Sequence, residues 1–382
     1  MSLTKSFAEI NDKISRGEAV VLTAEEFKQM AKNSSPQEMV KKVDVVTTGT
    51  FGPMCSSGAF INFGHSQLPI RMEKITLNDV PVFAGVAAVD AYIGATEVCP
   101  TNERYGGAHI IEELIAGKDV RLKAIGKGTD CYPRKEIETI INKETVNEFF
   151  MFNPRNAYQN YAAAVNSTSR IKYTYMGSLL PNFGNLTYST SGELSPLLND
   201  PDFRTIGIGT RIFLGGTEGF VAWNGTQFNT SKPKNEFGIP TSNAATLAVI
   251  GNAKNMSSEF IKAAYYEKYG VSIFVGIGIP IPVLDEEIAL KLCITNDRIE
   301  THIVDYGIPE HPALGKVNYK QLQSGSIKMN GTTIKTAPLS SMVKAREIAN
   351  VLKTWILQKE FQLTEPVQQF PQHSSVKTLQ IR

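Results

Sequence analysis

Chemistry in this chain can be built around Cys55. It lies in the stretch VDVVTTGTFGPMCSSGAFINFGHSQLPIRM, Val43 to Met72. A short β-branched run, Val43 to Thr48, reads as a buried strand. The chain then breaks into Gly49, Gly52, Pro53, Gly58 and Gly64. Glycines let a substrate come close to the backbone, and the N–H groups of such a loop can hold a thiolate. Ser56, Ser57 and Gly58 are the loop residues placed to bind a substrate. The competing reading is a buried, inert small hydrophobe.

Val120 to Ile125 reads as another strand, broken by Gly126-Lys-Gly-Thr-Asp-Cys131. The pattern of strand, Gly-rich turn and thiol thus occurs twice, which makes Cys131 the natural second cysteine. The remaining thiols are Cys99 and Cys293, and no two of the four have the spacing of a metal site, an iron–sulfur site or a C-x-x-C motif. His65, ten residues after Cys55, could polarise a carbonyl or shuttle a proton. The more common reading of such a residue is a histidine hydrogen-bonded to the backbone, and His109 carries the same ambiguity. His302, His311 and His373 have no nearby partners, so no metal is expected. Arg71, Arg104 and Arg211 flank Gly-rich segments, and one of their guanidinium forks would suit a substrate carboxylate.

The glycine clusters do not make a nucleotide site. Gly207-x-Gly209 and Gly276-x-Gly278 lack the third glycine of a dinucleotide fingerprint, and the segment at Gly126 lacks the upstream glycine of a P-loop, because position 121 is Arg. No tightly bound cofactor is expected.

The elements that must position these residues belong to an ordinary globular composition: 382 residues, 42% hydrophobic and 20% charged. With 39 basic and 37 acidic residues, there is no footprint for nucleic acid or an anionic membrane. No apolar run is long enough to span a bilayer and no signal peptide opens the chain, so a cytoplasmic protein with reduced thiols is expected.

Two or three amphipathic helices are predicted in residues 4–42, with capping signals at Thr23/Glu26 and Ser35-Pro36/Glu38. Val80 to Val89 reads as a buried apolar segment, and a helix follows from about His109 to Ala116. Residues 135–170 read as mainly helical, although Phe149 to Phe152 could form a strand. Lys172 to Pro240, rich in Gly, Thr, Asn and aromatic residues, reads as short strands with tight turns. Then strand 246–250, helix 257–268, strand 271–277, helix 285–291 and strand 299–304 predict a βα-alternating lobe. Asn330-Gly331 signals a hairpin, and Ser340 caps the longest helix, to about Glu360.

The expected fold class is α/β (mixed α+β), with Gly-rich loops at strand ends and a β-rich middle. Residues 1–362 form one catalytic region of two lobes, about 1–170 and 171–362, and 363–382 form a loose tail. Assembly into a homo-oligomer is left open.

Three segments carry a resemblance: Thr47 to His65 (TTGTFGPMCSSGAFINFGH), Ala88 to Thr96 (AVDAYIGAT) and Gly209 to Gly216 (GTRIFLGG). They resemble the homocysteine-biosynthesis family, whose members look like L-aspartate semialdehyde sulfurtransferases of anaerobic archaea and bacteria. The resemblance extends to about residue 360. It implies conversion of aspartate semialdehyde and a sulfur donor, sulfide or a persulfide, to homocysteine, on the route to methionine. A persulfide on Cys55 would carry the sulfur, with Cys131 matching the family's second cysteine. Cys99 and Cys293 are not carried over. It also implies an external two-electron reductant, in the family context a small ferredoxin-like partner. Regulatory nucleotide-binding modules that some members append are not implied here.

Two rivals stand beside that reading. One is a cysteine hydrolase or acyltransferase using Cys55 with His65, and the other is a non-catalytic sulfur carrier.

Overall fold

Local hydrogen-bonding chemistry starts the chain. Ser6, Thr23 and Ser35 each accept the N–H of a glutamate three residues on, whose carboxylate returns to the cap, and helices Phe7–Arg16, Ala24–Ala31 and Pro36–Lys42 follow. The computed structural model describes residues 4–329 and 331–381. The third helix delivers the chain into strand Val45–Thr47, which pairs parallel with Val21–Thr23 and antiparallel with Pro280–Pro282.

The site is carried by a nine-stranded sheet. Its strands run Ile261–Tyr266, Gly270–Gly278, Arg211–Leu214, Thr217–Asn224, Leu247–Asn252, Glu148–Asn156, Gly58–Asn62 and Asp90–Gly94, with Thr50–Pro53 paired to Gly270–Gly278 off that path. Helix Met342–Leu357, capped by Ser341 rather than Ser340, packs directly on the Cys55 approach. A Cβ on Gly49 would fall 2.1 Å from the Ala345 carbonyl oxygen, so this glycine serves close helix contact.

A second, six-stranded sheet runs Ala313–Asn318, Glu300–Asp305, Ala163–Val165, Asn185–Tyr188, Thr332–Pro338 and Ser326–Met329. It has its own core around Val165, Leu186, Tyr188, Ile303 and Tyr319. The hairpin Ser326–Met329/Thr332–Pro338 is present, while Asn330 lies outside the described residues.

The mixed α/β class is right, but its distribution along the chain differs from expectation. Residues 257–268 hold strand Ile261–Tyr266 instead of a helix. The turn after it closes with the Tyr269 N–H donating to the Tyr266 carbonyl at 3.0 Å, and the returning strand forms a full ladder with it. That pairing outweighs the helix propensity of Ala263-Ala264. The C-terminal alternation is therefore broken.

Residues 135–170, read as mainly helical, hold strands Glu136–Ile141, Glu148–Asn156 and Ala163–Val165. Phe149 and Met151 alternate inward along the second of these, a period-2 signal that extends well beyond Phe152. Of the Val80–Val89 segment only Val80–Val82 is strand, and Phe83 and Val86 are exposed. The chain does not divide at residue 170, because strands from 211–278 share a sheet with strands from 50–156. The tail is not loose at its start: Leu363 and Phe370 are buried, and Gln368 bridges to Ile208. Among the described residues no helix is long and apolar enough to cross a membrane.

Candidate functional site

Strand Thr50–Pro53 runs antiparallel to Gly270–Gly278, with Pro53 opposite Phe274. The pairing continues one residue further, the Met54 N–H donating to the Ile273 carbonyl at 2.7 Å. The Ser57 N–H then donates to the Met54 carbonyl at 3.0 Å, closing a tight turn with Cys55 and Ser56 at its tip. Cys55 is half-buried and its Sγ lies 3.1 Å from the Ser272 hydroxyl oxygen. Beside it opens a cavity of about 310 Å³, lined among others by Thr50, Cys55, Ser56, Arg155, Tyr158, Tyr161, Tyr175, Ser195 and Tyr269. A sulfur placed this way is neither sealed in hydrocarbon nor left on open surface.

Arg155 faces the same cavity because its strand is irregular. Between Asn153 and Asn156 the register of Glu148–Asn156 against Leu247–Asn252 shifts, and such a bulge redirects side chains. Asn153, fully buried, ties this bulge to the Cys55 turn. Its Oδ1 accepts from the Arg155 N–H at 2.8 Å and from the Ser56 hydroxyl at 3.1 Å, and its Nδ2 donates to Ser57 Oγ at 2.7 Å. The Ser56 hydroxyl also reaches the Arg155 carbonyl at 3.0 Å. Arg155 Nε donates to Thr226 Oγ1 at 3.0 Å, and among the described residues no carboxylate pairs with its guanidinium. A fixed guanidinium without a counter-charge, facing a cavity, suits a carboxylate ligand.

Four tyrosines, Tyr158, Tyr161, Tyr175 and Tyr269, form much of the cavity wall, with Tyr306 behind Tyr175. Tyr161 donates to the Tyr175 hydroxyl at 3.1 Å, and Tyr175 and Tyr306 share a bond of 2.7 Å. Burial pushes the phenols of Tyr158, Tyr161 and Tyr306 up, so they remain neutral donors at neutral pH. Burial, with the Cys55 sulfur beside it, pushes Tyr269 up to about 12.

The other residues singled out from sequence lie elsewhere. His65 is exposed and stacks on Tyr132 with centroids 6.1 Å apart, so no Cys55–His65 dyad forms around this cavity. Cys131 is exposed on the turn between Thr129 and Tyr132, outside the cavity lining. Arg71 is exposed and does not line it either. Arg104 lies over the Tyr265 ring at 5.7 Å. Arg211 is occupied by an ion pair with Glu218 and lies over the Phe361 ring.

Ser56 does line the cavity. Ser57 is buried as the acceptor of Asn153, and Gly58 has a packing role, since a Cβ there would fall 2.1 Å from the Tyr92 hydroxyl. His109 accepts the Gly106 N–H through Nδ1 at 3.2 Å, which is the backbone-bonded alternative. Sequence reasoning missed Arg155, Ser272 and the tyrosines. The polar run Asn153-Pro-Arg-Asn156, out of place in a helix, was the one local signal for Arg155.

Thiol and guanidinium facing one chamber is an arrangement suited to a cysteine-based transferase that acts on a small anion. Comparison with known families agrees with that class: residues 19–363 match the family described as homocysteine biosynthesis enzyme, sulfur-incorporation, and the chain belongs to it. It is 48% identical over 378 residues to an L-aspartate semialdehyde sulfurtransferase of Methanosarcina acetivorans, an alignment covering 98% of this chain and 74% of that protein. It is 50% identical over 385 residues to an L-aspartate semialdehyde sulfurtransferase of Methanocaldococcus jannaschii, covering 96% and 73%. No solved structure matches the chain. The resemblance drawn from the three motifs is thereby confirmed, and the chain is an enzyme of homocysteine biosynthesis by sulfur transfer.

Proposed function

We propose that the chain transfers sulfur to L-aspartate semialdehyde through a persulfide on Cys55, with Arg155 holding the substrate α-carboxylate. The observation that carries this is the opening of Cys55 and Arg155 onto one cavity of about 310 Å³, a volume suited to a four-carbon substrate. The outer sulfur of the persulfide attacks the aldehyde carbon, and the neutral phenols of Tyr158 and Tyr269, which line the cavity, stabilise the oxyanion that forms. This assigns the oxyanion to tyrosines in place of His65.

A thiol then attacks the Cys55 sulfur, breaking the sulfur–sulfur bond and leaving a disulfide. The released hydroxythiolate loses water to give a thioaldehyde. Two electrons and two protons bring the thioaldehyde to homocysteine, and a second electron pair with two protons reduces the disulfide back to its two thiols. Sulfide attacking directly would draw only the first pair. Cys131 is the thiol we assign to resolution, its exposed turn moving to the site. The electrons come from a separate carrier, for which a small ferredoxin-like protein in the cytoplasm is suited.

The test is anaerobic incubation with polysulfide as sulfane donor, aspartate semialdehyde and a chemical reductant, with homocysteine assayed and the mass on Cys55 measured. Cys55→Ser should abolish product while preserving the unfolding transition. Full activity in that variant would refute the assignment. Sulfur held on Cys55 with no homocysteine under any reductant would favour the carrier instead.

A further inference from the structure

The hairpin Ile261–Tyr266/Gly270–Gly278 passes beside the Cys55 turn, and its register decides which groups face the sulfur. Ala264 pairs with Ser272 and Tyr266 with Gly270. Alternate residues of a strand share a face, so Tyr266 and Ser272 emerge together as diagonal neighbours. Tyr265 emerges on the other face, where its hydroxyl donates to Glu103 at 3.1 Å. Thr50–Pro53 pairs along the free edge of Gly270–Gly278 and carries Cys55 level with Ser272.

Ser272 is fully buried, and among the described residues its hydroxyl bonds to Cys55 Sγ alone. The Tyr266 hydroxyl is also buried and has no partner among the described residues. An unpaired buried hydroxyl costs about 1–3 kcal/mol, so its persistence calls for an explanation. After burial, the Cys55 sulfur is the strongest influence raising the Tyr266 phenol, and Tyr269, at the turn of the same hairpin, lines the cavity.

We propose, resting on the persulfide chemistry of Cys55, that this hairpin is the anion-holding wall of the site. Ser272 donates to the Cys55 thiolate, and the unpartnered Tyr266 phenol, with Tyr269, receives the outer sulfur of the persulfide. A thiolate has no proton to give, so the Ser272 O–H must point at it. When polysulfide loads Cys55, a sulfur–sulfur bond of the polysulfide breaks and one forms to Sγ. The electron pair leaves on the shortened polysulfide. The negative charge then moves from Sγ, which Ser272 faces, to the outer sulfur roughly 2 Å beyond it, where a second donor is called for. Hydrogen bonds to a charged group are the strong ones, and a phenol that stays protonated is a suitable donor.

Inorganic polysulfide and iodoacetamide on the full chain, under anaerobic conditions, test both donors separately. Ser272→Ala should slow Cys55 alkylation at pH 7 roughly tenfold, and Ser272→Thr, which keeps the hydroxyl, should restore most of the rate. Tyr266→Phe should leave alkylation within about twofold and shorten the lifetime of the Cys55 persulfide, followed by its added sulfur mass, roughly tenfold. Tyr265→Phe, on the opposite face, should change neither. A parent alkylation rate in Ser272→Ala overturns the role of Ser272, and a parent persulfide lifetime in Tyr266→Phe overturns that of Tyr266. If the unsubstituted chain takes no sulfur on Cys55, the persulfide reading fails and Tyr266 with it, while alkylation alone still judges Ser272. Unchanged unfolding midpoints in each variant exclude misfolding as the cause.

Discussion

Replacing Arg155 by Gln should cut kcat/KM for aspartate semialdehyde roughly 10²- to 10³-fold. Its Nε is already committed to Thr226, which leaves the two terminal nitrogens as the fork for a carboxylate. Each charge-assisted hydrogen bond contributes about 1.5–3 kcal/mol, so losing two costs about 3–4 kcal/mol at the conservative end, and 1.36 kcal/mol is a decade of rate. The carboxylate is bound equally in ground and transition states, so the loss should fall on KM more than on kcat. Arg155→Lys keeps the charge but not the fork and should fall between. The assay is homocysteine formation from polysulfide under a chemical reductant, run beside a simple aldehyde that lacks the α-carboxylate. The variant should be penalised only with the true substrate, because the backbone bonds linking residue 155 to Asn153 and Ser56 survive the substitution. Equal losses on both aldehydes would refute carboxylate binding and make Arg155 a support of the Cys55 turn.

Further outcomes are expected. Cys131→Ser should still load one sulfur on Cys55 but slow steady-state turnover tenfold or more at limiting external thiol; unchanged turnover would remove Cys131 from the cycle. Gly49→Ala, forcing a methyl against the Ala345 carbonyl, should destabilise the chain by about 1–3 kcal/mol, read from its denaturant midpoint, and an unchanged midpoint would mean that helix Met342–Leu357 yields. Burial holds the Lys28 ammonium, bonded to Asn199 and the Leu292 carbonyl, down at about 8 against 10.5. Between those pH values the unfolded chain binds the extra proton, so this group makes stability rise with pH, by about 3 kcal/mol in all. Lys28→Met should lose that slope relative to the parent, and parallel stability–pH curves would refute it.

What could be read from sequence was local. The capping boxes at Thr23 and Ser35 join residues three apart, so their chemistry is complete within one turn of chain. The Cys55 loop announced itself through Gly, Pro and Ser in a row, and the three motifs carried the family. The partners of Cys55 could not be read this way. Ser272 is 217 residues away and Asn153 lies 97 residues from Ser56. Their meeting depends on which strands pair and in which register, and a shift of one residue would turn Ser272 to the other face. The same dependence on distant partners explains the misassigned strand Ile261–Tyr266, and why Arg71, Arg104 and Arg211 looked as good as Arg155. Residue type and spacing chose the thiol, and non-local strand pairing chose everything that faces it.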